Sequence, residues 1–323
     1  MPIHKAKTIF EDIRYTGTAA KPFVKWAGGK SSIIKILDSQ LPANFESQEN
    51  VTYVEPFVGG GAMLFHILRT HGNVKRAVIN DINRDLICCY RLIKDSPQTL
   101  IKLLKPFEKR YSEMDDNSRR DYFYKIRSEY NTEMLDENQR AAFFIFLNHT
   151  CFNGLYRENA EGGFNVPFGR YKRPRICNEE VIMSDHEVLK KVEILCGDYK
   201  NILLHLGKGY NFVYFDPPYR PLLGSSNFKE YSKSGFGDKE QEGLKLFCDK
   251  LSARHCQLML SNSDSTNEDG TSYFMTLYEN YSFCKILAPR YINAYAEKRE
   301  KQKEVLITNY NNPKEKLPVI PEI

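Results

Sequence analysis

Short strand-like runs alternate with helix-period segments along most of this 323-residue chain. Alternation of this kind is typical of a mostly parallel sheet covered by helices, because each parallel strand needs a crossover connection before the next one. The strand-like runs are 51–57, 75–80, 192–197, 210–215, 255–261, 281–288 and 303–310, and the helix-period segments are 61–71, 83–94, 199–206 and 238–253. The sequence therefore predicts an α/β fold.

One stretch, residues 86–191, interrupts this alternation. It begins with charged helical segments and has no strand-like run before "GFNVPFGRY" at 163–171, which reads as a hairpin. We therefore expect a second domain, inserted between the two parts of the first, 21–85 and 192–310. Residues 1–20 and 311–323 are expected to be terminal extensions, because the prolines of the latter disfavour regular structure.

Composition narrows the class of protein without identifying it. Apolar residues make up 41% of the chain, enough for a core, and the net charge of +5 is compatible with binding a polyanion. No apolar run approaches the ~20 residues that span a bilayer, and the first residues lack the hydrophobic centre of a signal peptide. We expect a cytoplasmic protein with no membrane partner, reduced cysteines and, since its histidines show no ligand spacing, no metal.

A triple-glycine turn, Gly59, Gly60 and Gly61, joins a strand-like run to an apolar helix. Glycines let the backbone approach a ligand closely, and the start of the helix offers free amides. Asp81 ends the next strand, where an acidic side chain can accept both hydroxyls of a ribose. The alternatives remain open at this point: the glycines can serve packing, and Asp81 can cap a helix, although Asn83 is also placed to do so.

The segment "KPFVKWAGGK" contains the only tryptophan of the chain, Trp26, followed by a Gly-Gly turn and Lys30. Trp26 is able to cover a flat or cationic ligand while Lys30 pairs with a carboxylate. A tryptophan packed in the core ahead of a capped helix explains the same residues. Taken by itself, this segment favours that structural interpretation.

The run 210–215 ends on Asp216, Pro217, Pro218 and Tyr219. Ligands of open α/β sheets lie beyond the carboxyl ends of the strands, and prolines hold the neighbouring carbonyls in set directions as acceptors. Two acceptors beside an aromatic ring suit a planar amino group on a heterocycle. Holding both of its hydrogens exposes the nitrogen lone pair, which can then attack an activated methyl carbon directly. The alternative is an ordinary Pro-Pro turn after an edge strand.

Residues 146–174 interleave polar and basic side chains with aromatic ones. Arginine and asparagine read base edges, lysine and arginine hold phosphates, and aromatic rings wedge into a base stack. The polar and basic residues are Asn148, Asn153, Arg157, Asn165, Arg170, Lys172 and Arg173, and the aromatic ones are Phe152, Tyr156, Phe164, Phe168 and Tyr171. A solvated hairpin with a basic face is the alternative interpretation.

Together these segments resemble the Dam-type DNA adenine-N6 methyltransferases, over about residues 21 to 310. The markers, in order, are "KPFVKWAGGK", "EPFVGGG", "DIN", "FLNHTCFNGLYR", "FNVPFGRY", "DPPY", "YSKSGFG", "LSNSD" and "EVLITNY". The resemblance implies a Rossmann-like class I methyltransferase sheet that binds S-adenosylmethionine in 21–85 and 192–310. It also implies a mainly helical target-recognition domain with a β-hairpin in 86–191.

The resemblance also implies roles for individual residues. Cofactor-binding positions are Trp26, Lys30, Glu55, Phe57, Gly59, Gly60, Gly61, Asp81, Asp198 and Asp216. Asp216, Pro217, Pro218 and Tyr219 are the catalytic group that holds a flipped adenine. DNA-binding positions are Phe152, Asn153, Leu155, Arg157, Asn165, Pro167, Arg170 and Lys172. Some family members have tyrosine where Phe152 stands, so a stacking role is retained here without a hydroxyl contact.

The function expected from all of this is methyl transfer from S-adenosylmethionine to N6 of an adenine flipped out of duplex DNA, in a GATC-like site. Cytosine-N4 methylation is an alternative, since the acceptors suit either amino group, and a catalytically silent DNA-binding module is another. Cytosine-carbon methylation is disfavoured, because it needs a nucleophilic cysteine, usually in a Pro-Cys pair that this chain lacks. We expect a monomer to act on nucleoid DNA, and the resemblance allows a cognate restriction endonuclease as a partner.

Overall fold

The computed structural model describes residues 19–221, 236–288 and 302–311. Its strands are β1 (Val51–Glu55), β2 (Val74–Asp81), β3 (Val192–Cys196), β4 (Asn211–Phe215), β5 (Gln257–Ser263), β6 (Ser282–Ala288) and β7 (Gln302–Thr308). They form one sheet in the order β3-β2-β1-β4-β5-β7-β6, in which β7 is antiparallel to both neighbours and the other pairs are parallel. Each predicted run matches one strand, so the predicted α/β fold is confirmed.

Helices cover the sheet and build the insertion. They are α1 (Ile34–Ser39), α2 (Ala62–Thr70), α3 (Arg84–Asp95), α4 (Pro97–Glu113), α5 (Asp116–Thr132), α6 (Glu137–Thr150), α7 (Glu179–Leu189), α8 (Asp238–Ser252) and α9 (Tyr273–Leu277). The segment predicted as a helix at 199–206 is a 3₁₀ helix, Tyr199–Leu204. Among the described residues, none of these helices has both the length and the apolar character needed to cross a bilayer.

The central strands β1 and β4 place the cavity described below. All five residues of each are buried, as expected of parallel strands covered by helices on both faces. The strand order reverses between β1 and β4, because the chain builds β1, β2 and β3 in one direction and then returns to start β4. Such a reversal leaves a crevice at the carboxyl ends of the strands, which is where ligands bind in open α/β sheets.

The inserted helices share their core with the sheet domain. Helix α3 contacts β2 and β3 on one side and α4, α6 and α7 on the other. One continuous buried cluster therefore contains Phe65 of α2, Tyr90 of α3 and Phe146 of α6. The domain boundary predicted at residue 86 falls inside α3, because a helix that packs on both sides belongs to both parts.

The segment predicted as a hairpin turns tightly, but its arms do not form a regular two-stranded ladder. They are joined by isolated bridges, Cys151 to Phe168 and Glu158 to Phe164. The Asn159 side chain accepts a hydrogen bond from Gly163 N at 2.8 Å and so closes the turn. Glycine and proline within the arms explain the irregular pairing, since neither supports a regular strand.

Three sets of residues from the sequence expectations lie wholly or partly outside the described ranges. These are the N-terminal extension up to residue 18, most of "YSKSGFG", and the C-terminal extension from residue 312. All eight cysteines are described, and none of them forms a disulfide.

Candidate active site

A cavity of about 1170 Å³ opens at the carboxyl ends of β1, β2, β3 and β4. All the residues expected to bind a cofactor line it: Trp26, Lys30, Glu55, Phe57, Gly59, Gly60, Gly61, Asp81, Asp198 and Asp216. Pro217, Pro218 and Tyr219 line it as well, and so does Asn153 from the segment expected to bind DNA. The fold thus brings together, at one edge of the sheet, residues from six separate parts of the chain.

The triple-glycine turn lies against Trp26 and Tyr90. Gly59 and Gly61 have φ of +48° and +73°, in the left-handed region that disfavours a side chain. A Cβ at Gly59 would lie 2.7 Å from Trp26 Cδ1, and one at Gly61 only 2.4 Å from the Tyr90 hydroxyl oxygen. Tyr90 in turn donates a hydrogen bond of 3.0 Å to the Gly59 carbonyl. The packing and ligand interpretations are compatible, because the turn also lines the cavity.

Asp81, at the end of β2, faces the cavity and supports the same turn. Its Oδ2 accepts from Gly59 N at 3.0 Å and its Oδ1 from Asn83 N at 2.9 Å. The Asn83 side chain, not Asp81, caps α3 by accepting from Leu86 N at 2.9 Å. Burial raises the pKa of Asp81, while these backbone amides oppose the shift. Each carboxylate oxygen has a second lone pair that remains able to accept from a ligand hydroxyl.

An aromatic cluster forms another wall of the cavity. Phe57 stacks on Tyr199 with ring centroids 5.2 Å apart and meets Phe236 edge-on at 5.7 Å. Asp198 starts the 3₁₀ helix by accepting from Lys200 N at 2.8 Å, and this contact places Tyr199. Neither Tyr199 nor Phe236 was expected from the sequence to belong to the site. Position was the available signal for Tyr199, since it directly follows Asp198.

Ile82, in "DIN", is a further cavity residue that the sequence analysis did not use. Its side chain is 82% exposed although it lines the cavity. A large apolar side chain so exposed beside a ligand-sized cavity is suited to contact a bound group.

Lys30 and Asp216 form an ion pair at the far end of the cavity. The Lys30 Nζ atom lies 2.9 Å from Asp216 Oδ1, donates to Gly28 O at 2.7 Å, and sits 4.6 Å from the centroid of the Tyr219 ring. Burial raises the pKa of Asp216, and the Lys30 ammonium opposes that shift. Apart from this ion pair, Oδ1 has no hydrogen-bond partner among the described residues. Asp216 therefore retains acceptor capacity toward the cavity.

Glu304 on β7 holds the Tyr219 ring in place. The Tyr219 hydroxyl donates to Glu304 Oε2 at 2.9 Å, and Glu304 is itself buried and lines the cavity. Burial raises the pKa of Glu304, with the charge of Lys30 opposing. The sequence analysis quoted "EVLITNY" without assigning its glutamate a role. The available signal was a carboxylate next to an otherwise apolar strand run.

The loop after β4 is anchored inside the protein and is not an ordinary surface turn. Arg220 is buried, its backbone N donates to Asn262 Oδ1 at 3.1 Å, and its guanidinium pairs with Asp238 at 2.9 Å. Gln241 donates to the Pro218 carbonyl at 3.0 Å. Asn262 belongs to "LSNSD", so this marker acts by positioning the loop.

Glu55 lies beneath the cavity at the end of β1. It is buried and accepts from the Tyr53 hydroxyl at 2.8 Å. Burial raises the pKa of Glu55 well above its ordinary value, with the Tyr53 hydrogen bond opposing and the charge of Asp216 adding to the rise. A carboxyl so placed favours its neutral form, which can also donate a hydrogen bond.

The N-terminal loop of the cavity is tied to the insertion. Trp26 stacks on Tyr156 with ring centroids 5.7 Å apart and an interplanar angle of 19°. Asn148 accepts from Lys25 N at 2.9 Å and donates to Lys25 O at 2.8 Å and to Gly154 O at 3.0 Å. Asn148 is only 2% exposed, so its interpretation as a base reader is wrong. Its side-chain amide is engaged in these backbone hydrogen bonds, which join the N-terminal loop to the insertion.

Most of the other residues expected to bind DNA lie at the surface near the cavity. Phe152 is 46% exposed, and Arg157 is exposed with its Nε donating to Asn165 Oδ1 at 2.7 Å. Asn153, Pro167, Arg170 and Lys172 are exposed, whereas Leu155 and Asn165 are half-buried. Within the described ranges, the four exposed basic residues of this segment form no ion pair: Arg157, Arg170, Lys172 and Arg173. These four exposed basic residues outnumber the exposed acidic ones of the segment, Glu158 and Glu161, and Asn153 of the same segment lines the cavity.

Comparison with known proteins gives a consistent result. The sequence profile of the D12 class N6 adenine-specific DNA methyltransferases matches residues 26–305. The type II methyltransferase M.MjaIII of Methanocaldococcus jannaschii is 43% identical over 293 residues, covering 90% of this chain and 99% of the relative. M1.LlaDCHI of Lactococcus lactis, also named a type II methyltransferase, is 36% identical and covers 90% and 96%. A DNA adenine methylase of Vibrio cholerae is 32% identical and covers 88% and 95%.

Proposed function

The chain belongs to the D12 class of N6 adenine-specific DNA methyltransferases, and from this premise we propose that it modifies adenine within a GATC-like duplex site after rotating the base into the cavity. As a member of this enzyme family it uses S-adenosylmethionine as the methyl donor. The proposal extends to how the residues share the work. The cofactor occupies the side of the cavity under β1 and β2, and the base occupies the side between Lys30, Asp216 and Tyr219.

The residues on the first side fit a nucleoside that carries an amino-acid tail. Asp81 offers carboxylate lone pairs to ribose hydroxyls, and the Phe57–Tyr199 stack with Ile82 offers apolar surface to a purine. The glycine turn lets a charged tail approach the backbone closely. When bound, the cofactor supplies an electrophilic methyl group on a sulfonium.

One observation carries the assignment of the base side: Lys30 Nζ already lies between the Asp216 carboxylate and the face of Tyr219. A nitrogen that bears hydrogens is thus held by an acceptor beside an aromatic ring, which is the environment that the adenine amino group requires. In the proposed complex, Lys30 moves aside, Asp216 and the Pro217 carbonyl accept the two N6 hydrogens, and Tyr219 stacks on the base. Glu304 keeps the Tyr219 ring in that orientation.

In the methyl transfer, the protein aligns the two reactants and provides hydrogen-bond acceptors for N6. The N6 nitrogen forms a bond to the methyl carbon while the carbon–sulfur bond breaks, and N6 then releases one proton. The Asp216 carboxylate, which holds an N6 hydrogen in the proposed complex, is the proposed acceptor for that proton, and burial raises its pKa. Alignment of two reactants can supply most of the acceleration without a strong base.

The exposed segment beside the cavity is proposed to engage the duplex. Removing a base from the stack costs a few kcal/mol, which contacts elsewhere on the DNA must offset. Phe152 is placed to fill or wedge the vacated space, Arg157 to read a base edge, and Arg170 and Lys172 to hold phosphates. The Trp26–Tyr156 stack connects this segment to the cavity, so DNA contact and active-site geometry are mechanically linked.

The experiment that tests the proposal is methylation of an unmodified genome in vitro, followed by mapping of modified bases. We expect N6-methyladenine in one short motif containing GATC or a variant of it, and no modification with Asp216→Ala. N4-methylcytosine in place of methyladenine would overturn the choice of base. Methyladenine without a common motif would overturn the proposed site specificity.

Two further proposals concern the setting of the reaction. One copy of the chain is sufficient for one adenine, so we propose a monomer that acts on chromosomal DNA in the cytoplasm. Similar proteins that carry type II names lead us to propose a cognate restriction endonuclease. Protection of methylated DNA against cleavage at the mapped motif, by an endonuclease from the same cell, would test this partner.

A further inference from the structure

Outside the cavity, the side chains of Asp38, His66 and His71 bring their potential ligand atoms close together. Asp38 Oδ1 lies 2.9 Å from His66 Nε2 and 2.7 Å from His71 Nε2. These three ligand atoms are all within 4.8 Å of one another. None of the three residues lines the cavity described above, so this cluster is separate from the proposed reaction site.

The cluster joins two helices that flank the cavity loops. Asp38 is on α1, His66 is on α2, and His71 follows the last residue of α2. Spacing in the sequence could not reveal this arrangement, because the carboxylate comes from a different helix. The expectation that the chain holds no metal rested on that spacing alone.

His71 has a carboxylate oxygen at each of its ring nitrogens. Its Nε2 faces Asp38, and its Nδ1 lies 2.5 Å from Glu46 Oε1. A neutral imidazole carries one N–H and can donate to only one of them. The other nitrogen needs either an added proton or a cation between it and the carboxylate. A histidine that donates to a carboxylate through one nitrogen and coordinates through the other is the usual arrangement in metal sites.

We propose that Asp38, His66 and His71 bind a divalent transition-metal ion of the Zn²⁺ class, with Glu46 orienting His71. Two imidazoles and one carboxylate suit zinc, whereas Mg²⁺ and Ca²⁺ favour all-oxygen sites. A tetrahedral ion with bonds of about 2.0–2.2 Å separates its ligand atoms by roughly 3.3 Å. The two distances from Asp38 to the histidine nitrogens therefore need to lengthen by only about half an ångström, and the two nitrogens lie within 4.8 Å of each other.

The exposure of the ligands is compatible with entry of an ion. His71 is 4% exposed, His66 16% and Asp38 30%, so the cluster is buried on the His71 side and open on the Asp38 side. Water can therefore provide the fourth ligand. Three protein ligands and one water form the pattern of catalytic zinc sites, but this cluster lies outside the reaction cavity, so we assign the ion no part in methyl transfer.

The bound ion would stabilise the cavity walls indirectly. Helix α1 follows the loop that carries Lys30, and α2 follows the glycine turn, so a bridge between these helices restrains both loops. An ion that binds the folded but not the unfolded chain raises the melting temperature, by more as its free concentration exceeds its Kd. We expect this stabilisation without any requirement for metal in methyl transfer itself.

The test uses the full-length protein stripped with a chelator and then titrated with ZnCl₂ or CoCl₂. We expect one ion per chain, a rise in melting temperature, and a Co²⁺ absorption spectrum of tetrahedral type without a thiolate charge-transfer band. His66→Gln and Asp38→Asn should each abolish this binding, and Glu46→Gln should weaken it by about 10–100-fold. His205→Gln is the matched control, since His205 also contacts a carboxylate, that of Glu193, and should leave binding unchanged.

Circular dichroism of each variant without metal establishes that the variants are folded. A stripped wild-type protein that binds no Zn²⁺ would overturn the proposal, as would binding that His66→Gln and Asp38→Asn leave intact. A thiolate band in the Co²⁺ spectrum would place the ion at a cysteine and would also overturn it. A melting temperature that Zn²⁺ leaves unchanged would overturn it as well.

Discussion

The Lys30 ammonium and the Asp216 carboxylate form an ion pair of 2.9 Å at the end of the cavity, and the same ammonium lies over the ring of Tyr219. The pair offsets part of the cost of burying the carboxylate, since burial raises the pKa of Asp216 and Lys30 lowers it. It also occupies the place proposed for the adenine amino group. Lys30 thus favours the ionised form of the carboxylate, and in the proposed complex a substrate nitrogen takes its place.

Removing the acceptor should abolish catalysis. We expect Asp216→Ala to lose methyl transfer because N6 then has no carboxylate to hold its hydrogens, while the strands on either side stay packed. Transfer of radiolabelled methyl to a short duplex measures activity, and thermal unfolding checks the fold. Turnover by a folded Asp216→Ala protein would contradict the assignment of Asp216 as the acceptor for N6.

Removing the cation should shift the pH dependence. Because the Lys30 charge lowers the pKa of Asp216, Lys30→Gln should raise it, and activity that needs the carboxylate should then disappear at a higher pH as the solution is acidified. The acidic limb of the kcat/KM profile measures this shift independently of any overall loss of rate. If the acidic limb of the kcat/KM profile stays at the same pH, a group other than Asp216 controls the loss of activity.

A single arginine is expected to decide sequence choice. Arg157→Ala should relax discrimination at one position of the site by ~1–3 kcal/mol, because a base-edge contact is lost. Lys172→Ala serves as the matched control, and should weaken binding equally for all sequences and reduce its salt dependence. Relative kcat/KM on duplexes with single-base changes measures the effect. Uniform loss with Arg157→Ala would instead make this residue a phosphate contact.

The glycine turn should not tolerate a methyl group. Gly61→Ala places Cβ 2.4 Å from the Tyr90 hydroxyl oxygen at a φ of +73°, so we expect a loss of about 1–3 kcal/mol in unfolding free energy and weaker cofactor binding. Gly72→Ala is the control, because a Cβ there meets nothing within 4 Å. Denaturant unfolding and cofactor titration measure both effects. Equal stability of the two variants would contradict the strain argument.

A buried aspartate of the insertion should make stability depend on pH. Burial raises the pKa of Asp185 to about 8, with the hydrogen bond from Lys21 N opposing, and one of its oxygens has no partner among the described residues. Its stabilising effect is complete below the pKa of about 3.9 in the unfolded chain and is lost as pH rises toward 8, at up to about 1.4 kcal/mol per pH unit. Asp185→Asn should therefore melt higher than wild type at pH 8.5, by more than at pH 5. A difference that does not change with pH would contradict this.

Local sequence patterns were sufficient to locate the strands. Runs of β-branched and aromatic residues between polar breaks are a property of neighbours in the chain, and each such run became one strand. Local patterns did not predict the order of the strands in the sheet, because strand pairing depends on contacts between distant segments. A hairpin was predicted for 163–171, but its arms pair only through isolated bridges, and Phe168 and Phe164 pack on Phe123 and Tyr130 of α5.

For the candidate active site too, some features follow from the sequence and others only from the tertiary structure. The sequence by itself determined the chemistry available at the strand ends: a glycine turn, Asp81 after β2, and the Asp-Pro-Pro-Tyr loop after β4. Only the tertiary structure decided that Lys30 neutralises Asp216, that Glu304 holds Tyr219, and that Asn148 is buried in place of reading bases. The physical reason is that charge, orientation and burial at a site depend on side chains supplied by other segments, and no periodicity along the chain encodes which segments the fold brings into contact.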